Sequence, residues 1–252
     1  NNKRNKWICG RKNLNRYDLW KNVRDKHGIS TAKSIFPMTY LLPNEIDKLL
    51  KDSSPQFILK ELNGGARKGV KLFNDKNEIR KEYKNYSVGQ VFIKNPLLVN
   101  GHKFDIRFFL VTICDKGTFL FKQGYCVYSK EPFDYSSMNR DKKINQAYTD
   151  DEHYDIHKLP RTFYDMCRRL NINPNKILDK IITKLKIIIE STDKLCCKED
   201  HNKNHIYGID VELLDNLQPL ILEINASPSL TFSEEWKKNI INNLRNQMKN
   251  LT

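Results

Sequence analysis

Two short stretches late in the chain carry carboxylates in a pattern that could hold a metal ion. In Tyr207-Gly208-Ile209-Asp210-Val211-Glu212, strand alternation turns Asp210 away from Ile209 and Val211. In Leu222-Glu223-Ile224-Asn225 it turns Glu223 and Asn225 away from Leu222 and Ile224. Asp215-Asn216 between them is a hairpin signal. With an even number of residues in that loop, Asp210 and Glu223 share a face, opposite or diagonal, about 5–8 Å apart. Two carboxylates and an amide oxygen on rigid strands suit magnesium carrying the phosphates of a nucleotide. An ordinary solvated face would show the same alternation. It would not account for the small-residue loop Ala226-Ser227-Pro228 that follows.

Cations stand in two other places. Lys103-Phe104-Asp105-Ile106-Arg107 puts a cation, an anion and a cation on one strand face. A lysine is a point charge for phosphate, whereas an arginine can fork onto a carboxylate or a transferring phosphoryl group. A cross-strand ladder of salt bridges would look alike in sequence. Lys60 ends the run Ile58-Leu59-Lys60, and Gly64, Gly65 and Gly69 follow. Backbone N–H groups of such a glycine loop could cover phosphates. It is not the G-x-x-x-x-G-K-[ST] loop, because no lysine and hydroxyl follow the last glycine. Cys196, Cys197, His201 and His205 crowd together without the spaced pairs of a zinc site, and the stretch is read as a polar loop.

The elements that must position these residues are legible in outline. Helical patterns cover 16–26, 43–52, about 75–86, 161–170, 175–190 and 233–248. Strand patterns cover 56–60, 70–73, 88–93, 103–113, 118–129, 206–214 and 219–224. Residues 130–160 are polar and irregular. Strands punctuated by turns, with helices grouped between them, predict an α+β fold rather than a doubly wound sheet.

Composition narrows the partners. The formal net charge of +14 over 252 residues favours something acidic: nucleic acid, an anionic membrane surface or an acidic protein tail. The basic residues are not interleaved with aromatics on strands, which speaks against nucleic acid. No apolar run approaches the roughly 20 residues of a membrane span. The six cysteines form no regular framework, as in a reducing cytosol.

Taken together and in order, these motifs resemble the tubulin–tyrosine ligase-like family of ATP-grasp enzymes. The resemblance rests on Lys60 and its glycine hairpin, Gln90 with Pro96-Leu97-Leu98, the Lys103–Arg107 strand, Gly208-Ile209-Asp210, and Leu222 through Pro228. Phe36 through Pro43 is also similar, and the likeness spans about residues 14–232. It implies an ATP-grasp fold, two α+β lobes with mainly antiparallel sheets clasping ATP. It implies that Lys60 and Lys103 contact ATP phosphates, and that Gln90, Val91, Phe92 and Ile93 form the hinge strand at adenine. Asp105 would sit near ribose and the reacting centre, and Arg107 would hold the acceptor carboxylate and its acyl-phosphate. Asp210, Glu223 and Asn225 would hold Mg2+.

The activity so implied joins glutamate, glycine or tyrosine to a protein carboxylate. The acceptor would be an acidic tubulin tail, and the enzyme a cytoplasmic, microtubule- or cilium-associated monomer. Residues 1–55 are expected as a truncated leading segment, 56–95 as the small lobe and 96–252 as the large lobe with the metal site. Three positions depart from the family pattern. Tyr17 in Arg16-Tyr17-Asp18 stands where a lysine is usual, Val127 where a basic residue is common, and Lys143-Ile144-Asn145 keeps only the asparagine of its motif. With no basic residue at Val127, Arg107 is expected to work alone or with a nearby cation such as Lys122 or Lys143 in its place. The competing reading is a catalytically inactive basic module that binds acidic tails; a ligase for a non-tubulin protein is a third.

Overall fold

The computed structural model describes residues 14–62, 69–113, 116–145, 159–192 and 205–251. The glycines Gly64 and Gly65, and Cys196, Cys197 and His201 of the polar loop, lie outside the described residues. Two antiparallel sheets with helices on their faces make the fold α+β.

The smaller sheet runs β1 (Thr39–Leu41), β4 (Val88–Val91), β2 (Phe57–Lys60), β3 (Val70–Phe73). Its core is Tyr40, Leu42, Leu49, Phe57, Leu59, Phe73 and Ile79, drawn from those strands and from α2 (Ile46–Lys51) and α3 (Lys76–Glu82). Asp75 caps α3, accepting from Asn77 N at 2.8 Å. The expected helix from Pro43 is shorter: Glu45 turns back to accept from Leu41 N at 2.8 Å, and the helix begins at Ile46. The expected leading segment divides between both sheets, since β1 pairs with β4 while the first helix packs elsewhere.

The larger sheet runs β5 (Leu98–Val99), β6 (His102–Ile113), β8 (His205–Leu213), β9 (Pro219–Asn225), with β7 (Gly117–Tyr128) paired to β6. One face of β6 carries Phe104, Ile106, Phe108 and Leu110 into the main core. That core also takes Ile209 and Val211 from β8, Ile221 and Ile224 from β9, and the apolar sides of three helices. These are α1 (Arg16–Ile35), α5 (Phe163–Arg169) and α6 (Pro174–Ser191). α6 buries Ile177, Leu178, Ile181, Leu185 and Ile188 at helical spacing. α1 breaks at Gly28, with φ 82°, soon after the predicted end at Lys26.

The other face of β6 changes character along its length. Lys103, Asp105 and Arg107 come first; Phe109, Val111 and Ile113 then pack beneath Ile240, Ile241 and Leu244 of α7 (Glu235–Leu251). The helix therefore covers the apolar half of this face and leaves the charged half clear of it. α4 (Arg140–Lys143) lies within the stretch read as irregular. No helix among the described residues is long and apolar enough to cross a membrane.

Trp20 anchors α1, fully buried and edge-on to Phe36 with ring centroids 6.3 Å apart. Trp20→Ala should cost about 3–5 kcal/mol in a urea unfolding experiment. A loss below about 1 kcal/mol would mean that α1 is held by other contacts.

Candidate active site

The register of the large sheet assembles the charged residues into rows. Arg107 stands opposite Tyr125 on β7 and Asp210 on β8, and Asp210 stands opposite Glu223 on β9. In the next row Asp105 stands between Val127 and Glu212. Directly opposite residues share a face, so Asp210 and Glu223 do as well.

The reason differs from the one the sequence suggested. The connection between β8 and β9 is 214–218, an odd number of residues, and Leu217 adopts a positive φ of 61° in it. That parity alone would turn Glu223 inward. A bulge restores it: Asp210 pairs with Glu223 but Val211 pairs with Ile221, leaving Leu222 as the extra residue.

Arginines engage both carboxylates. Arg107 forks onto Asp210, Nε to Oδ1 at 2.5 Å and Nη2 to Oδ2 at 2.8 Å. Burial opposes the Arg107 charge, but Asp210 outweighs it and holds the guanidinium above its ordinary range. Arg16 pairs with Glu223. Asn15 places Arg16 by capping α1, its Oδ1 accepting from Asp18 N at 2.8 Å. Arg16 is thus a second cation beside these carboxylates, one that the expectation of Arg107 alone, or helped by Lys122 or Lys143, did not include. Lys122 is exposed on β7. Lys143 is buried elsewhere, donating to Gln56 and to Tyr135 O (2.6 Å), with the rings of Phe92 and Tyr135 about its ammonium.

Lysines come from both sheets. Lys103 on β6 is buried, 2.9 Å from Glu212 and 3.4 Å from Asp105. Burial alone would lower it, but Asp105 and Glu212 prevail and its ammonium is held above the usual range. Lys60, at the end of β2, is only 9% exposed, and its ammonium has no hydrogen bond or ion pair among the described residues. Burial, with the Arg16 charge second, brings it down to about 7; Glu223 and Asp105 oppose the shift and Lys103 adds to it. Lys103, Asp105, Arg16 and Glu223 therefore all act electrostatically on Lys60, though the five residues come from four separate parts of the chain.

The hinge stretch serves packing as much as display. Gln90 is buried and donates to Thr39 Oγ1 at 2.9 Å, tying β4 to β1, while its Oε1 has no partner among the described residues. Phe92 stacks on Phe133 and tilts against Tyr135. Of the four expected hinge residues, Val91 and Ile93 keep partly exposed side chains. Asn145 is buried, with neither amide atom partnered among the described residues.

Asp210, Glu223 and Asn225 offer hard oxygen donors of the kind magnesium takes. The Asn225 carbonyl accepts from Ser227 N at 2.9 Å, which shapes the small-residue loop. Each carboxylate oxygen used by an arginine retains another lone pair, so the set fits such an ion in donor type, and the register puts all three residues on one face of the sheet. Among the described residues, no group of three or more His, Cys, Asp or Glu could hold a metal by itself. Glu212 is a further residue of this charged face, and its place in the same alternating run as Asp210 is the sequence signal for it. Arg16 has no such signal, because nothing local in a helix start points at a strand 207 residues away.

The model of the tubulin-tyrosine ligase family matches residues 2–250. The chain belongs to that family. Its α+β architecture with antiparallel sheets is the ATP-grasp type expected of members. It is 26% identical to the probable tubulin polyglutamylase ttll-9 of Caenorhabditis elegans, over 92% of this chain and 62% of that protein. It is 30% identical to tubulin polyglutamylase TTLL5 of Mus musculus, over 84% of this chain and 18% of the relative. Against tubulin monoglutamylase TTLL4 of the same species the figures are 27%, 84% and 20%. The chain thus spans less than two thirds of the length of these relatives.

Gly208 gives Arg107 its room. A Cβ there would stand 3.3 Å from Arg107 Cδ and Nη1 and 3.0 Å from Pro228 Cβ. Gly208→Ala should destabilise by about 1–2 kcal/mol in chemical unfolding, and by less when Arg107 is already alanine. Equal costs in both backgrounds would show that Pro228 alone sets the limit.

Proposed function

We propose that this chain is the ligase core of an enzyme that uses Mg-ATP to join glutamate to a carboxylate of an acidic tubulin tail. The observation that carries the nucleotide is Lys60. A buried ammonium with no hydrogen bond or ion pair among the described residues is costly, and a phosphate would relieve it. Lys103 belongs to the same electrostatic cluster, from the other sheet. The names of the relatives, polyglutamylases and a monoglutamylase of tubulin, support glutamate and tubulin. The charge of +14 suits an acidic acceptor.

In this reading an acceptor carboxylate oxygen attacks the terminal phosphorus of ATP, and ADP leaves. The amine of the incoming amino acid then attacks the acyl-phosphate carbon. Phosphate departs, the amine loses its proton, and an amide remains. Lys60 and Lys103 hold the phosphates by charge. Arg107, once its fork opens from Asp210, binds a carboxylate or the transferred phosphoryl group in the same geometry. Asp210, Glu223 and Asn225 would hold magnesium, which screens phosphate charge when bound. Positioning and charge screening do the work, and no nucleophilic side chain is needed.

The arginines on Asp210 and Glu223 favour a second reading, a tail-binding module without turnover. Mass spectrometry of acidic tubulin-tail peptides, incubated with magnesium, ATP and mixed amino acids, separates the two. Glutamate addition is expected, weakening as salt rises. Arg107→Lys should keep ATP affinity and lose about 10²–10³ in ligation rate, since lysine has charge without the fork. Ligation at the parental rate would remove Arg107 from the acceptor site.

The Lys60 ammonium also gives nucleotide binding a pH signature. Its free pKa is about 7, below the ordinary lysine value, and a phosphate beside it would raise that value. Above pH 7 the free side chain is mostly neutral, so binding recharges it and takes up a proton. Calorimetry at about pH 8, in buffers of different ionisation enthalpy, should show uptake of up to about one proton. The uptake should fade below about pH 6, where Lys60 is already charged, and be absent in Lys60→Met. Equal uptake in Lys60→Met would place the titrating group elsewhere.

A further inference from the structure

Glu212 is more deeply buried than any other carboxylate of the charged face, at 2% exposure. One oxygen, Oε2, stands 2.9 Å from Lys103 Nζ. The other, Oε1, is as buried and has no hydrogen-bond partner among the described residues. Holding Lys103 requires only one of these oxygens, and Asp105 already lies 3.4 Å from the same ammonium. A second carboxylate opposite Asp105 adds like-charge repulsion to the burial. A native fold seldom leaves such an acceptor bare unless something else satisfies it.

The position of Glu212 says what kind of group that is. Asp210 and Glu212 alternate along β8, so they share the charged face about 7 Å apart. Asp210 lies in the row of Arg107 and Glu223, the phosphoryl end on the reading above. Glu212 lies toward the segment that descends from β4. Leu97 N donates to Leu213 O at 2.7 Å, and Asp215 N to Asn95 O at 3.0 Å. A bare carboxylate oxygen repels phosphate and accepts from neutral O–H and N–H groups. Between the phosphate lysines and the hinge, those groups belong to the nucleoside.

We propose that Glu212 Oε1 accepts a hydrogen bond from the nucleoside part of the bound nucleotide, a ribose hydroxyl or the exocyclic base amine, and so sets specificity for it. This assignment rests on the nucleotide reading above. It separates Glu212 from Lys60 and Lys103, which read charge and would hold any polyphosphate.

The test is equilibrium binding of ATP, 2′-deoxy-ATP, 3′-deoxy-ATP, inosine triphosphate and inorganic tripolyphosphate to the whole chain and to Glu212→Leu and Glu212→Gln. Glu212→Leu should weaken ATP by about tenfold or more. It should leave tripolyphosphate unchanged or tighter, because a negative charge has gone. Glu212→Gln, which keeps shape and one acceptor, should fall between. The parental chain should disfavour one analogue: a deoxy form if a hydroxyl is the donor, the inosine form if the base amine is. Glu212→Leu should lose that preference. Equal weakening of ATP and tripolyphosphate would show that Glu212 only holds Lys103, and overturn the assignment. So would a parental chain that binds ATP and all its analogues alike, a result that needs no variant to fold. A parental chain that binds tripolyphosphate and ATP equally also overturns it while leaving a phosphate site. One that binds neither overturns the nucleotide reading as well.

Discussion

A single extra residue in β9 determines what the charged face can do. Leu222 is accommodated as a bulge between the Asp210–Glu223 and Val211–Ile221 pairs. On the loop side of the bulge, β9 keeps the parity set by the odd connection 214–218. Beyond it, the strand has rotated by one residue, and Glu223 and Asn225 face away from the main core while Ile224 enters it. A slip of one residue in a strand moves every side chain to the opposite face. Without the bulge, Glu223 would enter an apolar core and Leu222 would take its place opposite Asp210. Arg16 would then have no carboxylate to meet, and the α1 terminus would lose its tie to the sheet.

The continuous pairing of β6 with β8 matters for the same reason. From Asp105–Glu212 to Thr112–His205 no residue is inserted, so charges on one strand meet charges on the other without adjustment. Arg107 and Asp210 are fixed by backbone geometry before their side chains choose rotamers, and the fork then forms at little extra entropic cost. Gly208 completes the fit by offering no side chain where the guanidinium passes.

The site concentrates costs that an ordinary core avoids. Lys60, Lys103, Glu212 and Arg16 are largely removed from water, and among the described residues the Lys60 ammonium and one oxygen of Glu212 have no hydrogen-bond partner. Buried ionisable groups with perturbed affinities for protons cluster where ligands are bound, because the ligand supplies the missing partner. The surrounding fold bears that cost through two apolar layers. The main core lies behind the large sheet, and the α7 layer covers the uncharged end of its front.

Much of this was legible in the chain itself. Period-two alternation over 103–113 and 206–214 announced the strands, and apolar spacing over 175–190 announced α6, because burial imposes those periods locally. The residue types and order of Lys60, Lys103, Asp105, Arg107, Asp210, Glu223 and Asn225 were enough to propose a nucleotide and metal site. The short elements β1, β5 and α4 escaped notice, since a few residues carry too little periodic signal. Tertiary structure alone decided the bulge at Leu222, the reach of Arg16 to Glu223, the inward turn of Lys143 and the burial of Glu212. Each depends on which distant segment arrives beside a residue, and a side chain's partner across 207 positions leaves no mark on its own neighbourhood in sequence. Local sequence set which groups were available, and packing set which of them were left without a partner.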